Sequence, residues 1–112
     1  MFILASTFNQ PLTNLVNTSG VASCSMTGMF QLASVFNQNI TKSGSIWNTN
    51  LVTTVASLFQ GSGTSAITLF NNGEIITGTT APMGWTFNVV PTSTNYRLNC
   101  RLTTNNKPAS LA

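Results

Sequence analysis

Glu74 is the one acidic side chain of the 112-residue chain, which contains no Asp and no His. General acid–base catalysis draws on carboxylates and imidazoles with tuned pKa values. A lone Glu excludes a paired-carboxylate mechanism, and a Ser or Cys nucleophile would lack its His base. Cys24 and Cys100 are the only thiols. Two cysteines set no disulfide framework, and without His they cannot complete a zinc site, so free or buried thiols are expected. Gly61-Ser62-Gly63 has the flexibility of a phosphate loop but neither its Lys nor its spacing, and reads as an insertion. Glu74, beside Asn72-Gly73, reads as a solvated turn residue or an ion-pair partner of Arg97 or Arg101. The inventory argues against an enzyme and assigns no catalytic, cofactor-binding or metal-ligating residue.

The cations are equally sparse. Lys42, Arg97, Arg101 and Lys107 leave a net charge of +3, and charged residues are 4% of the chain, against roughly 25% in an average soluble domain. Four scattered cations neutralise few phosphates, so no nucleic-acid partner is expected. No apolar run reaches membrane-spanning length, and residues 1–4 lack the basic region and apolar stretch of a signal peptide. Dispersed monomers normally rely on charge. A surface this neutral suits a protein packed against other protein subunits, copies of itself or a coat protein, in an oligomer or larger assembly.

The elements that must position these residues are set by a repeat. Residues 1–10, MFILASTFNQ, return as MFQLASVFNQ at residues 29–38, with changes only at the third and seventh positions. A worn third copy opens at Leu58-Phe59-Gln60, and its Phe-Asn arrives late, at Phe70-Asn71, after an apparent insertion over residues 61–65. Met26, Met29, Phe30, Ala33 and Phe36 fall at the spacing of one helix face, and Val52, Val55, Leu58 and Phe59 repeat it. Short extended pieces are expected over residues 11–16 and 45–52. A unit of one helical turn and one short strand cannot bury its apolar face alone; stacked on its neighbours it can.

Phe2, Phe8, Phe30, Phe36, Phe59 and Phe70 are therefore expected in the core. Asn9, Asn37 and Asn71 recur at one turn of each unit, where their side chains could satisfy backbone groups of adjacent coils like the rungs of a ladder; a surface turn is the alternative. MFQLASVFNQNI followed by IWNTNLVTTVASLF resembles the BspA-like leucine-rich repeat over about residues 1–73. Members of that family occur on bacterial surfaces, notably in mycoplasmas, in some protists and in proteins of large algal DNA viruses. The resemblance implies an α/β repeat, a short leucine-rich-repeat-like solenoid of short strands plus short helical turns. It implies surface or particle-associated roles and no catalytic residues. The units here are longer than the family's usual length, and Trp47 has only Leu15 as its counterpart.

From residue 74 the pattern stops, and a C-terminal β-rich cap and tail are expected over residues 74–112. Within it residues 77–83 read as a loop, 85–90 and 96–102 as strands, 91–95 as a turn, and 105–112 as an extended or mobile tail. Trp85 would pack over the last coil. The segment from residue 78 onward is similar to C-terminal endings of repeat proteins in algal giant viruses. At the other end Met1-Phe2 begins within a unit, so Phe2, Leu4 and Phe8 would be exposed unless residues precede them or a partner covers them; a partner-contact face is the expectation. An intrachain Cys24–Cys100 bond would need the cap to fold back along the stack. The sequons at Asn17 and Asn39 matter only in a secretory host.

These readings leave two function classes. One is a non-enzymatic structural protein, a minor component of a viral capsid or similar particle. The alternative is a cell-surface adhesion or recognition module for a host protein or glycan.

Overall fold

The computed structural model describes residues 2–10, 12, 24–40, 49–61, 68–73 and 83–111. Their backbone is built from reverse turns. Amide groups of Ala5, Met29, Ala33, Leu58 and Tyr96 donate to the carbonyls of Phe2, Met26, Phe30, Val55 and Ser93, each three residues back, at 3.0–3.3 Å. The third residue of each turn (Leu4, Gly28, Leu32, Ser57 and Asn95) has φ between 56° and 63°. That is the left-handed position of a type II turn. Such a turn brings its first and fourth residues to one side, and Met26 with Met29, Phe30 with Ala33, and Val55 with Leu58 are accordingly buried.

This overturns the expected fold class. Among the described residues there is no helix, and the regular structure is two short parallel strands, β1 (Cys24–Ser25) and β2 (Val52–Thr54). The chain is therefore not a leucine-rich-repeat-like solenoid of strands and helical turns. The physical reason lies in the turns. Consecutive turns bonded from residue i to i+3 produce the same inward spacing of three and four that a helix does. Each left-handed residue then prevents helix propagation, which needs negative φ throughout. The apolar spacing was real; its cause was not helical.

The turns are laid on one another in four tiers joined by parallel backbone bonds. Phe2 and Leu4 donate to Met29 and Gln31 at 2.8 and 3.0 Å. Met26, Gly28, Phe30 and Leu32 donate to Thr54, Ala56, Leu58 and Gln60 at 2.8–2.9 Å. Val55, Ser57, Phe59 and Gly61 donate in turn to Thr92, Thr94, Tyr96 and Leu98 at 2.7–3.0 Å. Alternate residues bond to the next tier, as in a parallel ladder. The turns interrupt strand geometry so often that only β1 and β2 qualify, paired Cys24 to Val52 and Ser25 to Thr54 with an irregularity between. Gly28 is the glycine among these left-handed positions, with φ +63°, and a Cβ there would stand 3.1 Å from the end of the Gln31 side chain, which would have to shift.

The expected β-rich cap is also absent as such. No strand covers residues 85–90 or 96–102; besides the tier-to-tier backbone bonds, the C-terminal segment forms only isolated parallel bridges, Thr54 to Thr92 and Thr68 to Cys100. Residues 92–102 instead lie along the third tier as a fourth one. Nor is the tail extended: it turns at residues 103–107 and 108–111 and buries Asn106 and Leu111. Leu111 and Leu102 add apolar area to the core, which favours docking over exposure. The strand expected over 11–16 apart from Leu12, residues 45–48 of the next one, Trp47, most of the 61–65 insertion, Glu74, the loop up to residue 82, Lys42 and the Asn17 sequon lie outside the described residues.

Candidate functional site

Two columns of phenylalanine run through the first three tiers. Phe2, Phe30 and Phe59 form one, with ring centroids 5.2 and 5.8 Å apart; Phe8, Phe36 and Phe70 form the other, at 5.7 and 5.8 Å. Within each tier the two rings also stack, at 4.7, 4.3 and 3.9 Å. Each turn fixes the direction of its aromatic side chain, and the repeat brings like residues to like places. Offset ring pairs at these distances add to the stabilisation from burial. Phe30, Phe36, Phe59 and Phe70 are fully buried, whereas Phe2 and Phe8, in the first tier, are half-buried. Trp85 tilts against Phe59 at 6.5 Å and donates its indole N–H to the Ile40 carbonyl at 2.9 Å.

The asparagines link one tier to the next. Asn9 Oδ1 accepts the Asn37 amide N–H at 2.9 Å and the Gln38 side-chain amide at 2.9 Å. Asn37 Oδ1 accepts the amides of Asn71 and Gly73 at 2.8 and 2.9 Å. Asn71 Oδ1 accepts the Thr103 amide at 3.1 Å and the Asn106 side-chain amide at 3.2 Å. Tight turns leave backbone N–H groups that no regular ladder satisfies, and leaving them unpaired inside the stack is costly. The carboxamides supply the missing acceptors.

Sequence reasoning missed two further members. Asn72 Oδ1 accepts the Ile40 amide at 2.8 Å, and Asn106 donates to both the Asn71 carbonyl and its side chain at 3.2 Å. The doublets Asn71-Asn72 and Asn105-Asn106 were the available signal. Thr49 and Thr68 are buried polar residues satisfied by the carbonyls of Thr86 and Phe59 at 2.9 and 2.8 Å.

Chemically, the described residues offer little beyond hydrogen bonding. They contain no group of three or more His, Cys, Asp or Glu able to hold a metal ion, and no helix long and apolar enough to cross a membrane. Both cysteines are free. Burial pushes the Cys100 thiol above its usual range, partly offset by a hydrogen bond with Thr68, and its sulfur lies 3.3 Å from the Phe70 carbonyl. Burial likewise raises Tyr96, partly offset by the Arg97 charge. Its hydroxyl lies beside that guanidinium without a well-formed hydrogen bond. Two cations are engaged by the chain itself: Arg97 Nη1 donates to the Leu102 carbonyl at 3.0 Å, and Lys107 Nζ to the Leu111 carbonyl.

Two surfaces remain as candidates for contact. The first is the first tier, where Ile3 and Leu4 are 50% and 67% exposed and Phe2 and Phe8 are half-buried. Among the described residues, these two rings stack on a neighbouring tier from one side, at Phe30 and Phe36. The second is an open groove of about 340 Å³ along the ladder edge, lined by Asn9, Val35, Asn37, Leu69, Gly73 and Arg101.

A family model described as "Mycoplasma protein of unknown function, DUF285" matches residues 1–78 of the chain. No curated protein and no solved structure matches it.

Proposed function

The chain belongs to the DUF285 family, which is associated with BspA-like surface repeat proteins, and from this we propose that it is a non-enzymatic structural module working through protein–protein contacts. The observation that carries the reading is the exposure of apolar side chains in the first tier. Exposed Ile3 and Leu4 flank two half-stacked rings in a chain with only 4% charged residues. Exposed apolar side chains on a surface with little charge favour association over dispersal. Phe2, Leu4 and Phe8 are the contact residues of this reading, and other protein subunits are the partners.

Two settings follow from different observations. Membership of a mycoplasma family favours a cell surface, where the module would bind a host protein or glycan. The open groove that Arg101 lines supports that reading, because a guanidinium suits sugar hydroxyls. Resemblance of the segment from residue 78 onward to endings of algal-virus proteins supports the other setting, a minor component of a virion or similar particle.

Light scattering across a concentration series tests the shared premise. Defined oligomers or concentration-dependent association are expected, with Leu4→Lys shifting the population toward monomer while leaving the fold intact by circular dichroism. A chain that stays monomeric at every concentration and binds glycans would remove the assembly reading and leave the adhesion one.

A further inference from the structure

The sequence contains one Asn-Gly dipeptide, Asn72-Gly73, and the fold requires both residues. Asn72 has φ 52°, a left-handed conformation that Asn tolerates better than most side chains, and its carboxamide accepts the Ile40 amide at 2.8 Å. Gly73 has φ +90°, and a Cβ there would stand 3.2 Å from the Asn39 nitrogen and 3.3 Å from its Cβ. The stack thus imposes, at the junction of the second and third tiers, the dipeptide whose unhindered glycine nitrogen most readily attacks the preceding carboxamide.

We propose that Asn72-Gly73 is a latent deamidation site that the asparagine ladder guards. In the reaction, solvent base removes the Gly73 N–H proton and the nitrogen bonds to Asn72 Cγ. The Cγ–Nδ2 bond breaks, ammonia leaves, and a succinimide ring closes. Water then adds to either ring carbonyl, giving aspartate or isoaspartate; the sum is Asn plus water to Asp plus ammonia, with no oxidant or reductant. The folded chain blocks both reacting groups. Gly73 N–H is held by Asn37 Oδ1 at 2.9 Å, and the Asn72 carboxamide holds the Ile40 amide and is 1% exposed. The carboxamide cannot swing onto the Gly73 nitrogen without releasing Ile40, and the nitrogen cannot lose its proton without releasing Asn37.

Deamidation therefore proceeds only from states in which this junction has opened, and it leaves a permanent mark. Aspartate places a carboxylate at a position only 1% exposed, where its charge loses most of its hydration. Isoaspartate adds a backbone carbon that moves Asn71 and Gly73 out of step with Asn37. The junction, once modified, cannot close as before.

Peptide mapping by mass spectrometry of the full chain at mildly alkaline pH tests this, in buffer and in unfolding urea. Residue 72 is expected to convert at least about tenfold more slowly in the folded chain, the ratio for an opening free energy of about 1.4 kcal/mol. Folded Asn37→Ala is expected to lose much of that protection, and Asn37→Asp, which keeps the acceptor for Gly73, to retain it. Equal rates in folded and unfolded wild type would overturn the proposal. Protection unchanged in Asn37→Ala that is folded by circular dichroism would overturn the role of the ladder. If Asn37→Ala does not fold, the Asn37→Asp rate decides: protection kept supports the guard, protection lost overturns it.

Discussion

Removing the Phe36 ring should be among the most damaging single truncations in the aromatic columns. Phe36 is 0% exposed and stacks on three rings: Phe8 at 5.7 Å, Phe30 at 4.3 Å and Phe70 at 5.8 Å. Burying and then deleting a phenylalanine costs about 3–5 kcal/mol. The loss of three stacked contacts, each worth about 0.5–1.5 kcal/mol beyond area, places Phe36→Ala toward the upper end of that range. Against a domain stability of about 5–15 kcal/mol, this is a large fraction of the total. Phe8 has the same place one tier outward but is half-buried with two ring neighbours, so Phe8→Ala should cost about half as much, about 2 kcal/mol. Urea unfolding followed by circular dichroism measures both. With a slope of about 1–3 kcal/mol per molar, the Phe36→Ala midpoint should fall by about 2 M. Should that variant fail to fold, Phe36→Leu, expected to cost about 1–2 kcal/mol, carries the comparison. A Phe36→Ala loss below about 1 kcal/mol would refute the reasoning. So would a Phe8→Ala loss equal to or larger than it, because the burial gradient along the column would then carry no energy.

Asn37→Ala should cost about 2–4 kcal/mol, since it strands the Asn71 and Gly73 amides, and chemical denaturation should show Asn37→Asp costing less. Ser57→Gly should stabilise by about 0.5–1 kcal/mol, because glycine relieves the left-handed φ of 56° at a modest entropic cost. Gly28→Ala should do the opposite, and a melting-temperature pair of the same sign would contradict the turn assignment. The half-buried Cys100 thiol has a raised pKa, so its contribution is full below the ordinary thiol value of about 8.5 and is lost as pH rises from there through its folded value. Melting temperature should decline with pH in that alkaline window, less steeply in Cys100→Ala; identical slopes would remove the thiol as the cause.

Much of the stack could be read from residue order. The return of MFxLASxFNQ relates Phe30 to Phe2 and Phe36 to Phe8, since equal spacing along the chain means equal position in successive units. The recurring Asn9, Asn37 and Asn71 could likewise be seen as one position of the repeat. Asn106 was marked only by the Asn105-Asn106 doublet, because its tier has no Met-Phe motif, and its contact with Asn71 is far away in sequence. The tail read as mobile for the same reason: Leu111 and Asn106 have no local pattern, and their burial comes from contacts with residues far away in sequence.

The sequence alone determined periodicity, composition and the near-absence of ionisable chemistry, because these depend on which residues are present and how far apart they are. Only the tertiary structure decided that the apolar spacing of three and four belongs to reverse turns rather than helices. Both geometries bring such residues to one side, and they differ in the sign of φ at Leu4, Leu32 and Ser57. None of those residue types announces a left-handed backbone. Contacts between tiers hold it there, through hydrogen bonds that exist only when a neighbouring turn lies alongside.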